Sequence, residues 1–251
     1  MCVLDIDLDF FLSKRRTHRI GKERPSDQDA VPWSCEDVRV FLEERCGLSA
    51  GKPVPGSVVV QHDEVFGSWQ RLIQAGTLRI PFDVVHVDAH ADLGMGDGSW
   101  THIMGELVHR PVAERQFHCA SQLGEGNYLA YAVACRWVKS ITYVYHPELV
   151  PRKLDIWWGL MKGYVDQPHV PGPDRVIQLK LLPRETLYGA GELREVSPLG
   201  LEPEVPLKVA CPSSCRMDGP PSFVFLSQSP SYTPPASDLL IPLIRRYIDE
   251  L

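Results

Sequence analysis

The chain of 251 residues carries 26 Lys and Arg against 32 Asp and Glu, a formal charge of −6, with 44% hydrophobic and 23% charged residues. That composition excludes a disordered chain, and the acidic balance argues against nucleic acid as a partner, which calls for a basic excess. No run approaches the roughly 18 apolar residues of a membrane-spanning helix, and acidic residues interrupt the opening MCVLDIDLDFFL, unlike a signal peptide. A cytoplasmic protein with no membrane partner is expected.

Runs rich in β-branched and aromatic residues predict strands at Val3–Leu8, Ser57–Gln61, Asp83–Val87, Ile141–Tyr145 and Phe223–Leu226, with a sixth at Val176–Leu182. Helical patterns lie between them. Ser34 and Asp37 resemble a capping box, after which Val38, Phe41 and Leu42 share a face and Gly47 ends the run. Glu64–Ala75 places Val65, Trp69, Leu72 and Ile73 at helical spacing before Gly76, and further helices are expected at Asn127–Val138 and Asp238–Leu251. Strands alternating with helices imply one α/β domain over 1–251, a three-layer α/β/α arrangement around a mostly parallel sheet.

The seven cysteines fall at 2, 35, 46, 119, 135, 211 and 215, and the lone CxxxC at Cys211 and Cys215 has no second pair at zinc-site spacing. Reduced thiols without a catalytic role are expected. The 22 prolines exceed the usual share of about 5% and cluster at 171–173, 203–221 and 230–235, which reads as long ordered loops.

Polar residues collect where three predicted strands end, in CVLDIDLDFF, SVVVQHDE and DVVHVDAHAD. Ligands of open parallel sheets bind beyond the carboxyl ends of the strands, so these three segments are drawn to one edge. Asp5, Asp7 and Asp9 alternate with Ile6 and Leu8, which directs all three carboxylates to one side of an extended chain. Buried together, they need cations, protons or solvent. Asp88, His90 and Asp92 can present oxygen and nitrogen ligands from one backbone segment, whereas His86 reads as packing. His62 follows a strand at the same edge and is a further candidate ligand.

DAHAD (88–92) resembles the central metal motif of the arginase–agmatinase superfamily, and DIDLD its second aspartate motif. The closer resemblance is to arginase-like proteins that act as peptide arginases, through DIDLDFF, His62 and Glu64, Gly-Asn-Tyr-Leu (126–129) and the closing FLSQSPSYTPP. In arginases the second aspartate motif follows DAHAD, whereas here it precedes it. A shared fold therefore implies a circularly permuted strand order, tolerable because domain termini often lie close together.

The resemblance implies an arginase-like fold with two manganese ions per subunit, one held by His62, Asp88, Asp92 and Asp7 and the other by His90, Asp9, Asp88 and Asp7. Asp5 with Asp7, instead of Asp7 with Asp9, is the alternative register. The implied activity is that of a hydrolase acting on linear amidines: urea leaves an arginine side chain of a ribosomally made precursor peptide and ornithine remains. The leaving amine needs a proton, for which His102 is the first candidate and His146 the second. The guanidinium needs a fixed carboxylate, for which Glu64 and Glu125 are candidates, with Asn127 as a polar contact. The basic run 14–24 has six Lys and Arg and one Glu, and reads as a solvated loop or a contact for an acidic leader segment. The rival readings are a zinc-dependent deacetylase of arginase-like fold and a magnesium-dependent phosphatase. Oligomeric state is not read from the sequence.

Overall fold

The computed structural model describes residues 1–13, 24–94, 99–148, 174–183 and 197–251. Its strands are β1 (Cys2–Asp7), β2 (Leu12–Ser13), β3 (Val31–Pro32), β4 (Val54–Val59), β5 (Phe82–Asp88), β6 (Val138–Tyr145), β7 (Asp174–Ile177), β8 (Lys180–Leu181), β9 (Gly200–Leu201), β10 (Val205–Ala210), β11 (Phe223–Ser227) and β12 (Ile248–Glu250). Among the described residues, eight of them form one sheet in the order β12-β4-β11-β1-β5-β6-β10-β7. Neighbours run parallel throughout, except that β7 lies antiparallel at the edge. This is an α/β fold with a mostly parallel sheet, as the alternating pattern predicts.

Strand periodicity sorts the side chains onto two faces. Val3, Val84 and Phe225 join a core built with Val65, Phe66 and Trp69 of α2 (Glu64–Gln74). The same core takes in Ile103 and Met104 of α3 (Ser99–Gly105) and Tyr128–Ala134. Leu4, Ile6, Val87 and Leu226 point the other way, onto Val38, Phe41 and Leu42 and onto Leu240 and Ile244. Asp5 and Asp7 share the parity of Val3, and His86 and Asp88 that of Val84. One sheet face thus changes from apolar to ionisable along the strand direction. Gly56 of β4 lies so close to β11 that a Cβ would collide with the Val224 carbonyl, and this tight pairing brings the turn after β4 beside β1.

The first helix, Cys35–Val40, continues through one wider turn at Phe41–Arg45, and Ser34 Oγ accepts from Asp37 N at 3.1 Å as the capping box predicts. Three expectations need correction. The helix expected at Asn127–Val138 stops at Ala134; Arg136 takes a left-handed φ of 57°, and Val138 already belongs to β6. The closing helix covers only Leu240–Arg245, because Ile248 is buried as β12 adds to the sheet beside β4. The proline-rich stretch 203–221 is not all loop, since Val205–Ala210 forms β10. Pro206 is tolerated there because pairing with β6 begins only at Leu207. The stretch expected as one strand at Val176–Leu182 divides between β7 and β8.

All seven cysteines are free thiols. No helix among the described residues is long and apolar enough to cross a membrane. The proline cluster 171–173 and residues 14–23 of the basic run lie outside the described residues. The last residue of that run, Arg24, is structural. Its guanidinium donates to Thr233 O at 2.8 Å and Pro234 O at 3.2 Å and pairs with Asp238 at 2.5 Å, clamping the loop that follows β11.

Candidate metal centre

Four adjacent strands, β4, β11, β1 and β5, end at this centre, although their chain order is β1, β4, β5, β11. β1 stops at Asp7, whose Oδ1 accepts from Asp9 N at 2.9 Å and caps a short turn, Leu8–Phe11. Asp9 therefore reaches the centre from a helical turn rather than from a continued strand. Its Oδ1 accepts from Ala89 N at 3.2 Å, tying the first acidic segment to DAHAD. β5 ends at Asp88, whose Oδ1 accepts from His90 N at 2.7 Å and folds the loop back, and Asp92 takes a left-handed φ of 46°. A non-glycine residue held there is strained backbone of the kind found at functional sites. His62 sits in the turn between β4 and α2.

The sequence-predicted ligands converge. His62 Nδ1 lies 3.0 Å from Asp7 Oδ2, 3.1 Å from Asp88 Oδ2 and 3.0 Å from Asp92 Oδ2. His90 Nδ1 lies 3.0 Å from Asp9 Oδ2 and 3.6 Å from Asp88 Oδ1. Asp88 thus turns one oxygen to each imidazole. All of these side chains are buried except His90, which is 21% exposed. Asp9 Oδ2, His62 Nδ1, Asp88 Oδ2, His90 Nε2 and Asp92 Oδ2 are buried atoms without a hydrogen-bond partner. Acceptor atoms crowded in this way repel one another unless a cation or protons lie between them. Ligand atoms bound at about 2.1 Å and at right angles around one ion stand about 3.0 Å apart, which is the spacing around His62. These Asp and His groups could hold metal ions, and the donor set fits them.

Without a cation the carboxylates are in conflict. Burial, then the charges of Asp7 and Asp88, hold Asp9 well above the usual carboxylate range, and burial with the Asp88 charge pushes Asp92 up to about 7. Burial also works against ionisation of Asp88, but the neighbouring imidazoles of His62, His90 and His86 outweigh it and hold that carboxyl low. For His90, burial opposes the charged ring, and Asp9 and Asp88 reverse the balance and raise it.

Other candidates land differently. Glu64 is exposed and accepts from Val60 N at 2.9 Å, closing the turn that carries His62. Asn127 shapes its own loop, accepting from Gly124 N at 2.9 Å and donating to Gln122 O at 3.0 Å. Gly94 N donates to Gly126 O at 2.8 Å, so this loop borders DAHAD. Glu125 stands in it; burial, with the charges of Glu125, Asp92 and Asp9, raises the Tyr232 phenol against the lowering effect of His90. His102, on α3, is 3.0 Å from the Tyr131 hydroxyl and stands apart from the ion pairs of the centre. His146 is buried, with Nε2 2.5 Å from Leu12 O, and packs on Phe10.

The sequence pattern does not show the roles of five contributors. Asp5 and His86, left as an alternative and as packing, lie directly behind His62, and Tyr128 joins them. Ser229 donates to Asp7 Oδ2 from a left-handed φ of 46°, and Tyr232 places its ring 4.9 Å from that of His90. The segment FLSQSPSYTPP carried the only signal for the last two, and nothing in its local pattern shows which hydroxyl turns inward. No protein-family description matches this chain, and no curated protein matches it.

Proposed function

We propose that the protein is a binuclear manganese-dependent hydrolase of arginine side chains, releasing urea and leaving ornithine in a ribosomally made precursor peptide. The observation that carries the two-ion reading is Asp88, whose two oxygens each face a different imidazole among further carboxylates. Asp7, Asp88, Asp92 and His62 would hold one ion, and Asp9, Asp88 and His90 the other; the second bridge expected from Asp7 is not carried over, because its Oδ1 accepts from Asp9 N and its Oδ2 faces His62. Four carboxylates with two imidazoles suit manganese better than a softer zinc site. The arginase-like fold and the arginine substrate rest on the resemblance of DAHAD and DIDLDFF.

Two divalent ions would supply a hydroxide nucleophile near neutral pH from bound water. The chain's own contribution is to fix their ligands and admit the substrate. Ser229 restrains Asp7, and the Asp9 carboxylate is tied to the backbone of Ala89. Between the two carboxylate candidates, Glu125 fits a guanidinium better than Glu64. It lies in the loop bordering DAHAD, whereas Glu64 is exposed and its carboxylate accepts from Val60 N. His102 makes its contacts with Tyr131 and Glu106, away from these ion pairs, and is not assigned the leaving amine's proton.

A one-zinc deacetylase would leave either the His62 or the His90 group unused, and a magnesium phosphatase gives no role to His62 Nδ1 amid three carboxylates. Incubating the manganese-loaded protein with arginine-containing peptides, followed by mass spectrometry and a urea assay, tests the proposal. Conversion of arginine to ornithine with matching urea is expected. Cleavage of an acyl-lysine or phosphate ester, with no urea from any arginyl peptide or free arginine, contradicts it.

A further inference from the structure

We infer that Asp5, His86 and Tyr128 form a hydrogen-bonded platform behind His62 that fixes Nδ1 as the nitrogen facing the metal position and ties the two halves of the centre together. The inference rests on the metal reading above and concerns residues that hold no ion themselves. Asp5 is fully buried on β1, in register with His86 on β5. Its Oδ1 lies 3.3 Å from His62 Nε2, and its Oδ2 lies 3.0 Å from His86 Nδ1 and accepts from the Tyr128 hydroxyl. Tyr128 OH is also 3.0 Å from His62 Nε2.

A carboxylate only accepts, so the proton of a neutral His62 belongs on Nε2, toward Asp5, and the lone pair of Nδ1 points at Asp7, Asp88 and Asp92. A ligating histidine whose second nitrogen donates to a carboxylate has its tautomer, ring angle and basicity set by that partner. The ring has little freedom to turn. It stacks on His86 with centroids 5.5 Å apart and lies tilted against the Tyr128 ring at 4.8 Å.

The second link runs through His86. Its Nδ1 is 3.0 Å from Asp5 Oδ2 and its Nε2 is 3.2 Å from the backbone carbonyl of His90, whose side chain belongs to the other half of the centre; both partners accept, so the ring donates to both only as an imidazolium. One carboxylate therefore sets the angle of His62 and, through His86, the position of the DAHAD loop. Asp5, His62 and His86 also lie close enough to suggest a third ion, as do His86, Asp88 and Asp92. The first place is closed by contacts among its own residues and with the Tyr128 hydroxyl, and in the second His86 Nε2 is turned to the His90 carbonyl.

Manganese binding to the full chain, followed by calorimetry and by the electron paramagnetic resonance signal of a coupled ion pair, tests this with Tyr128→Phe and Asp5→Asn. Tyr128→Phe keeps the ring in the core and removes only the hydroxyl. In either variant we expect one of two ions to bind about 10–100-fold more weakly, so that signals of single ions replace the coupled signal at limiting manganese. A merely structural role would lower the melting temperature without separating the two affinities. If Asp5→Asn does not fold, Tyr128→Phe decides alone. A wild-type protein with two ions and a Tyr128→Phe variant of unchanged affinity overturns the platform and leaves the metal reading standing. Loss of one whole ion from three in Asp5→Asn makes Asp5 a ligand and also overturns it. A wild type that binds no divalent ion overturns the metal reading and this inference together.

Discussion

Asp92→Asn should move the stability of the protein in opposite directions with and without metal. Asp92 is buried, its Oδ2 is 3.0 Å from His62 Nδ1, and burial with the neighbouring Asp88 charge lifts its carboxyl from 3.8 to about 7. The folded value exceeds the unfolded one, so ionisation is disfavoured in the folded state. Without metal, the protein therefore loses stability as pH rises from about 4 through about 7, and the full cost is present above that. At 1.36 kcal/mol per pH unit, the cost is at most about 4 kcal/mol. Asn has nearly the same shape and no charge. Because it also gives up the attraction to His62, a net gain of about 1–4 kcal/mol is expected, and each kcal/mol shifts the melting temperature of a chain this size by about 2–4 °C. With manganese the order reverses, because a ligand at 100 times its Kd stabilises by about 2.7 kcal/mol and the variant has lost an anionic donor. Thermal melts in chelator at about pH 8 and about pH 5, then with manganese, make the comparison. The reasoning is refuted if the variant melts below wild type in chelator at both pH values, or if manganese raises both proteins equally.

Two further perturbations probe the scaffold. Arg115 is buried and pairs with Glu202 at 2.9 Å, so Glu202→Ala strands a buried guanidinium and should cost about 3 kcal/mol in urea unfolding. Burial opposes ionisation of Glu202, but hydrogen bonds from Arg115 and Arg136 outweigh it and hold its carboxyl below 4.5. The stability it contributes is present above that pH and lost as pH falls through the lowered value, so the variant should show a flatter acid limb. Arg24→Ala removes a partly exposed ion pair with little effect on melting, about 1 kcal/mol or less. It also frees Thr233 O and Pro234 O, so hydrogen exchange over 229–238 should quicken, and unchanged exchange there would remove Arg24 from the support of Ser229.

The strand-end acidic clusters were legible because strand alternation and the parallel-sheet rule together place Asp7, Asp88 and His62 at one edge without any knowledge of strand order. The supporting contacts were not. Whether Asp5 faces an ion or backs a ligand depends on Tyr128, which arrives from the helix Tyr128–Ala134, 123 residues away in the chain. Asp9 reached the site through a helical turn that period-two reasoning does not anticipate. Helix ends were misplaced where tertiary burial overrode local pattern, as at Ile248, which completes the sheet beside β4 instead of extending a helix. β10 is masked in the sequence by Pro206, which precedes the pairing with β6 and lies within the pairing with β7.

The central claim is tested most directly by anomalous scattering at the manganese edge from crystals of the manganese-loaded protein. Two peaks a few ångströms apart are expected. One lies among Asp7, His62, Asp88 and Asp92, the other between Asp9, Asp88 and His90. A single peak, a peak enclosed by Asp5, His62 and His86, or no peak at saturating manganese would contradict it.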